Sequence, residues 1–396
     1  SRLDSVADGT LGVDKLQPYV HSHTFQMNFM GFLRLYRITG DKSLFRKVAG
    51  AWDDIHKRQM YITGGVSVAE HYEHDYVKPV SGHVVETCAT MSWMQLTQML
   101  LELTGESKYA DAMERLMINH VFAAQDCETG SCRYHTAPNG SKPSGYFHGP
   151  DCCTASGHRI ISMLPTFMYA ERGREFFVNQ YLPSQYAGKS FTFEISGNYP
   201  EAENMELTIL SEKAVDRVLN LRIPSWCKTP QVSVNGENMA GVQPGTYLKI
   251  SRKWSKGDKV SITFPMEEKW VMREHHSKYT TYTLPREEPT DKIPYAFLRG
   301  PVVYCLDMVW NKQLCNDDMN QEKDIRLDVD VKPWVVNKPY ANMLGPVYRT
   351  KALYKGSKVD VVLTPFVNIG QWFRPGEQKP EKNADMFTYG IWLYKK

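Results

Sequence analysis

The feature that most constrains this chain is a change in the period of its apolar residues near position 172. Before it, they recur at helical spacing. "FQMNFMGFLRLYRI" places Phe29, Phe32, Leu33 and Tyr36 on one helical face, and "DKSLFRKVAGAWDDIHKRQM" and "TMSWMQLTQMLLEL" behave likewise. After about residue 175 the period is two. "VLNLRI" alternates Leu219, Leu221 and Ile223 with Asn220 and Arg222, and "KVSITF" alternates Val260, Ile262 and Phe264 with polar neighbours. "FLRGPVVYCLDMVW" and "VDVVLTPF" carry the strand pattern towards the end. At 396 residues the chain exceeds what one core usually holds. The pattern therefore predicts a helical domain over residues 1–172, a β-sandwich over 173–274 and a second β-sandwich over 275–396, with "YTTYTLPREEPTDKIPY" as the link between the last two.

The helical part repeats itself. "LYRITGDKSLFRKV" from Leu35 and "LLELTGESKYADAM" from Leu100 each end a helix at Thr-Gly and start another at once. Gly40 and Gly105 suit the left-handed position after a helix, and Asp41 and Glu106 then fall near a new N-terminus, where negative charge is favoured. Repeated helical hairpins point to a bundle or an α/α toroid. In the β part, "VNGEN" supplies an Asn235-Gly236 hairpin turn.

A net charge of +3, with no basic run carrying interleaved aromatics, argues against a nucleic-acid partner. No run of 18 apolar residues offers a membrane span, and "SRLDSVADGT" lacks the layout of a signal peptide. Aromatic residues make up 12%, which suits a sugar-binding cleft and β-sandwich cores equally. The eight cysteines are scattered, unlike a disulfide framework, so free thiols or a metal site are expected.

Two of those cysteines are adjacent, Cys152 and Cys153 in "GPDCCTASG". Neighbouring cysteines rarely bond to each other, because the ring they close is strained. Glu86 and Cys88 in "HVVETCAT" are two apart, a spacing that points them roughly 160° apart inside a helix but lets them converge at a loop-to-helix junction. One carboxylate and three thiolates would make a tetrahedral metal shell. The rival reading is that Glu-x-Cys arises by chance and the cysteines pack as small hydrophobes.

Taken together, "GGVSVAE", "ETCAT", "TGESKYADAMERLMINHVFA", the Cys-Cys pair and "LRGPVVYCLD" resemble glycoside hydrolase family 127, whose founding activity is β-L-arabinofuranosidase. The likeness runs in consistent order from about residue 18 to the last strands. It implies an α/α barrel followed by two β-sandwich domains, with the present helices forming about the second half of the barrel. It also implies Zn2+ held by Glu86, Cys88, Cys152 and Cys153, with Cys152 as nucleophile and Glu70 as general acid/base. The reaction implied is retaining, exo-acting hydrolysis of a β-L-arabinofuranoside or a related plant-polysaccharide sugar. The partner is then an oligosaccharide or glycoconjugate, with room for a homodimer, in the cytoplasm or periplasm of a bacterium.

By the same resemblance His21 and Tyr134 contact the sugar, with His23 as the near rival of His21. Glu73 and Asp75 compete with Glu70, and position relative to Glu86 selects Glu70. Cys127 and Cys132 read as structural or free. "CCTAS" replaces the family's usual "CCP" continuation, the segment after His21 differs, and the loop before the pair is shorter, so the departures bear on substrate identity. The alternatives are a non-catalytic carbohydrate-binding scaffold stapled by a metal, and a hydrolase using metal-bound water, which three thiolates would leave weakly Lewis-acidic.

Overall fold

A computed structural model describes residues 2–16, 20–72, 82–126, 130–141, 151–189, 191–273, 294–311, 314, 325–338, 343–369 and 388–395. Among the described residues, seven α-helices precede the main β region: α1 (Arg2–Ala7), α2 (Ser22–Thr39), α3 (Lys42–Asp54), α4 (Thr87–Thr104), α5 (Ser107–Leu116), α6 (Phe122–Ala124) and α7 (Cys152–Met168). Gly40 and Gly105, both at φ 71°, end α2 and α4, and each amide bonds the carbonyl four residues back. The two turns then part company. Asp41 caps α3 by accepting from the Ser43 amide at 2.9 Å, whereas Glu106 caps nothing and pairs with Lys108 at 3.4 Å.

Helix α4 is the centre of the helical layer. It packs against α2, α5 and α7 and buries nearly its whole N-terminal half. The inner face of α2 is Gln26, Phe29, Met30 and Leu33, with Phe32 and Tyr36 only half-buried. The face is turned from the expected one because Gln26 points inward, donating to the Tyr72 hydroxyl at 2.9 Å and accepting from Ser92. No described helix is long and apolar enough to cross a membrane.

Strands begin in earnest at Tyr169. A four-stranded sheet runs Thr246–Trp254, Val215–Ile223, Glu175–Val178, Tyr169–Arg172. A six-stranded sheet runs Ser184–Ala187, Thr192–Gly197, Asn204–Ile209, Lys259–Thr263, Gln231–Val234, Glu237–Asn238. Aromatic rings fill the space between them, Phe176 of one sheet meeting Phe193 of the other at 5.2 Å. Asn235 and Gly236 have φ of 50° and 87°, the doubly left-handed turn their sequence called for.

"VLNLRI" keeps its apolar side inward, but its polar side is buried too. Arg222 has no exposed side-chain surface; it pairs with Asp111 at 2.5 Å and with Glu114, both on α5. Tyr199 and Trp226 also donate to Glu114, at 2.5 and 2.8 Å. This buried ionic knot fastens the helical layer to the first β unit.

The last β region closes on itself. Val302–Asp307 pairs with Ser357–Pro365, which pairs with Val347–Tyr354, then Ile325–Leu327, Leu393–Lys395 and Pro294–Arg299, which returns to Val302–Asp307. Its pairing is thus one ring rather than two separate layers. Thr388–Gly390 adds to Val302–Asp307 and also pairs with Asn139–Ser141, a short strand sent out from the helical region. The proposed link "YTTYTLPREEPTDKIPY" lies almost entirely outside the described residues.

Candidate active site

Two helix N-termini converge on one spot. Glu86 is the residue that precedes α4, Cys88 is second in that helix, and Cys152 and Cys153 open α7. Asp151 caps α7 by accepting from the Thr154 amide at 2.7 Å. Glu86 therefore sits at a loop-to-helix junction, where it and Cys88 face the same way. The Glu86 amide donates to the Ser67 hydroxyl at 2.9 Å, which ties the junction to the preceding loop. Helix N-termini carry partial positive charge and favour thiolates.

The ligand atoms of Glu86, Cys88, Cys152 and Cys153 all lie within 4.8 Å of one another. Cys153 Sγ is 3.4 Å from Cys88 Sγ and 3.6 Å from Glu86 Oε1. Glu86, Cys88 and Cys153 are buried, while Cys152 is exposed. Burial pushes the Glu86 carboxyl up to about 8, and the neighbouring Cys88 and Glu70 add to the rise. A hydrogen bond from Cys153 holds the Cys88 thiol down to about 5, and the same bond pushes Cys153 up. Burial, then Cys88, push Cys152 up. Without a cation, then, the four groups share about one negative charge. Glu86 Oε2 is buried with no hydrogen-bond partner. One orphaned carboxylate oxygen and three gathered sulfurs fit a divalent cation that prefers sulfur.

Glu70 faces the exposed side of this cluster. Its Oε1 accepts from the Tyr134 hydroxyl at 2.6 Å, and its Oε2 lies 3.4 Å from His21 Nε2. Cys152 Sγ is 4.0 Å from the same Tyr134 hydroxyl, so Tyr134 stands between Glu70 and Cys152. The Tyr134 bond holds the Glu70 carboxyl below its usual range, helped by His21, His135 and His71. The carbonyl of Glu70 accepts from both the amide and the hydroxyl of Ser22, at 2.8 and 2.9 Å, which fixes the residue to the start of α2.

The backbone here is unusual. Ser67, Ala69, Glu70 and Val85 all have positive φ, from 43° to 103°; among the described residues the only other non-glycines of this kind are Asn235 and Lys355 in hairpin turns. The two glycines of "TGGV" make room for this path. Gly64, at φ 93°, lies against the Leu116 backbone, and a Cβ on Gly65 would come within 2.1 Å of Val85.

His23 bonds the Cys88 carbonyl at 3.1 Å and Ser92 at 3.0 Å, so it braces α4 while His21 faces Glu70. Cys132 packs where a Cβ on Gly157 would reach it at 2.4 Å, and burial pushes its thiol up to about 11, so it is a structural thiol. Cys127, Glu73 and Asp75 lie outside the described residues. Three partners of the site were not singled out from the sequence. Ser156, the serine of "CCTAS", is 3.2 Å from Cys88 Sγ; its position one helical turn beyond Cys152 and Cys153 was the available signal. His83 and His135 stack at 5.0 Å beside Tyr134, and burial together with His83 draws His135 down to about 4. Nothing local in the sequence announces that pair.

A family model described as β-L-arabinofuranosidase, GH127 catalytic domain, matches residues 11–166, and the GH127 middle-domain model matches residues 175–266. A non-reducing end β-L-arabinofuranosidase of Bifidobacterium longum subsp. longum is 24% identical over 346 residues, covering 80% of this chain and 51% of that protein. The chain thus spans about half the length of the curated relative it matches. A solved GH127 β-L-arabinofuranosidase from Geobacillus stearothermophilus T6 superposes with a TM-score of 0.76 at 25% identity, covering 95% of this chain and 60% of the other. A solved GH127 β-arabinofuranosidase gives a TM-score of 0.76 at 24% identity, covering 100% and 64%.

Proposed function

Because the chain belongs to glycoside hydrolase family 127, we propose that it is the working half of a retaining, exo-acting glycosidase with Cys152 as nucleophile and Glu70 as general acid/base. The substrate class we assign is a terminal β-L-arabinofuranoside or a closely related plant-polysaccharide sugar. The helices are read as part of an α/α barrel, followed by two β domains.

The observation that carries this reading is the position of Cys152. It is the exposed sulfur of an otherwise buried four-ligand cluster, and it stands across the Tyr134 hydroxyl from the Glu70 carboxyl. Glu86, Cys88, Cys152 and Cys153 would hold zinc, which when bound keeps the Cys152 sulfur ionised at neutral pH. In the first displacement the Cys152 thiolate attacks the anomeric carbon, a C–S bond forms, and the C–O bond to the leaving group breaks. Glu70 gives its proton to the departing oxygen. In the second, water attacks the same carbon, Glu70 takes the proton of that water, and the thiolate leaves. Two inversions retain configuration, and retaining glycosidases hold nucleophile and acid about 5–5.5 Å apart; here the Tyr134 hydroxyl lies 4.0 Å from Cys152 Sγ and 2.6 Å from Glu70 Oε1. We read His21 as a contact for sugar hydroxyls; Tyr134 donates to Oε1 of Glu70, which leaves Oε2 as the oxygen that carries and returns the proton.

Mass spectrometry after incubation with a mechanism-based arabinofuranoside trap tests this. The expected result is one adduct on Cys152, absent from Cys152→Ser, which should also lose turnover while remaining folded. A fully active Cys152→Ser, or an adduct on Glu70, removes the nucleophile assignment. Intact zinc binding with neither adduct nor turnover would favour a non-catalytic scaffold.

A further inference from the structure

Tyr134 owes its place to residues far away in the chain. At Tyr134 and just beyond it the segment is held by α4 and the loop before it: the Thr87 amide donates to the Tyr134 carbonyl at 2.9 Å, and the Thr136 amide to the Val85 carbonyl at 3.1 Å. On its C-terminal side the anchors come from the last residues described. The Tyr389 hydroxyl donates to the Ala137 carbonyl at 3.0 Å, and the Ile391 amide to the Pro138 carbonyl at 3.1 Å. Asn139 Oδ1 accepts from the Ile391 and Trp392 amides, at 3.0 Å each, and its Nδ2 donates to the Trp392 carbonyl at 3.0 Å. Asn139 is 6% exposed and Tyr389 4% exposed, so water cannot readily replace these bonds.

The strand Thr388–Gly390 is itself rigidly seated. It pairs with Val302–Asp307 on one side and Asn139–Ser141 on the other, and the Tyr389 ring packs on Phe366 at 5.7 Å. Glu70 is fixed from a different direction, through Ser22 at the start of α2. Both segments also rest on residues 83–87, the Ala69 amide donating to the His83 carbonyl and the Val85 amide to the Ser67 carbonyl, so the 2.6 Å bond from Tyr134 to Glu70 joins two pieces that share one support and have one each of their own, Ser22 for Glu70 and the C-terminal strand for Tyr134.

We propose that Asn139 and Tyr389 are positioning residues, which clamp the Tyr134 segment to the C-terminal strand and so set the Tyr134 hydroxyl against the acid/base. This rests on the assignment of Glu70 above. It makes the C-terminal β region a support of the active-site wall, acting through the Tyr134 segment.

The test uses the full chain with Asn139→Ala, Tyr389→Phe and Tyr134→Phe, alone and combined. Misplacement of a catalytic group by about an ångström costs up to about a hundred-fold. Asn139→Ala should lower kcat about ten- to a hundred-fold on glycosides with poor leaving groups, with KM little changed, and Tyr389→Phe should lower it less. In the Tyr134→Phe background Asn139→Ala should cost almost nothing, because the effect travels through Tyr134. Additive losses in that double mutant overturn the inference. A readout independent of turnover is the 13Cζ resonance of Tyr134 in tyrosine-labelled protein, assigned by its loss in Tyr134→Phe. Asn139→Ala should move it in the direction that Glu70→Gln moves it; an unmoved resonance overturns the inference. If the wild type cleaves no glycoside, the functional reading falls, while the resonance still decides the positioning role.

Discussion

Loading the four-ligand cluster with zinc should expel about three protons near pH 7. The count follows from the environment of each ligand. Cys88 is held down to about 5 by the bond from Cys153, so it is already ionised and releases nothing. Glu86 is pushed up to about 8, so near pH 7 it is mostly protonated and must give its proton up. Cys152 and Cys153 are both pushed upwards and arrive as thiols. A cation binds the deprotonated forms, so raising the pH favours it. The apparent affinity should climb about a thousand-fold per pH unit between roughly pH 6 and 7, or about 4 kcal/mol per unit at 1.36 kcal/mol per proton. Above about pH 8, where Glu86 has already ionised, the slope should fall to about two; below about pH 5, where Cys88 is protonated, it should approach four. Isothermal titration in buffers of differing ionisation enthalpy measures the release directly, and Glu86→Gln should lower it by one. Release of one proton or none would mean that the thiols are ionised without a cation, and the charge-sharing argument would be wrong.

Two further substitutions probe other parts of the structure. Glu70→Gln should slow hydrolysis of substrates with poor leaving groups by about 10²–10⁴-fold and activated aryl glycosides far less; equal losses on both would count against an acid role. Arg222→Ala would leave Glu114 buried without its cation, and denaturant unfolding should show a loss of about 3–5 kcal/mol; a loss below about 1 kcal/mol would mean that the knot between α5 and the first β unit contributes little.

What the sequence revealed of this molecule depended on whether the physics was local. The helical hairpins and the Asn235-Gly236 turn were legible because glycine in a left-handed position is decided by its own backbone. The alternation in "VLNLRI" was legible on its apolar side only. Arg222 reads as a solvated residue until α5, about a hundred residues earlier, supplies Glu114 and Asp111. At the site, the types and order of Glu86, Cys88, Cys152 and Cys153 could be read, because a soft cation restricts which side chains suit it. The burial of all but Cys152, the Ser156 contact and the His83–His135 stack could not, since each depends on segments that meet only in three dimensions. The left-handed path through Ala69, Glu70 and Val85 was also hidden. Those residue types ordinarily avoid it, so the sequence argues against the conformation that occurs.

That path has a consequence for anyone who would improve the protein. Non-glycine residues held at positive φ cost of order 1–3 kcal/mol each, and Val85, branched at Cβ, is the least comfortable of the four. Selection for heat resistance alone would therefore drift towards glycine at position 69, where the side chain is exposed and a relaxed backbone is the quickest gain, while Val85 is held by its burial. The survivors would be hardier and duller, because the hinge-free turn that aims Glu70 would have been traded for slack.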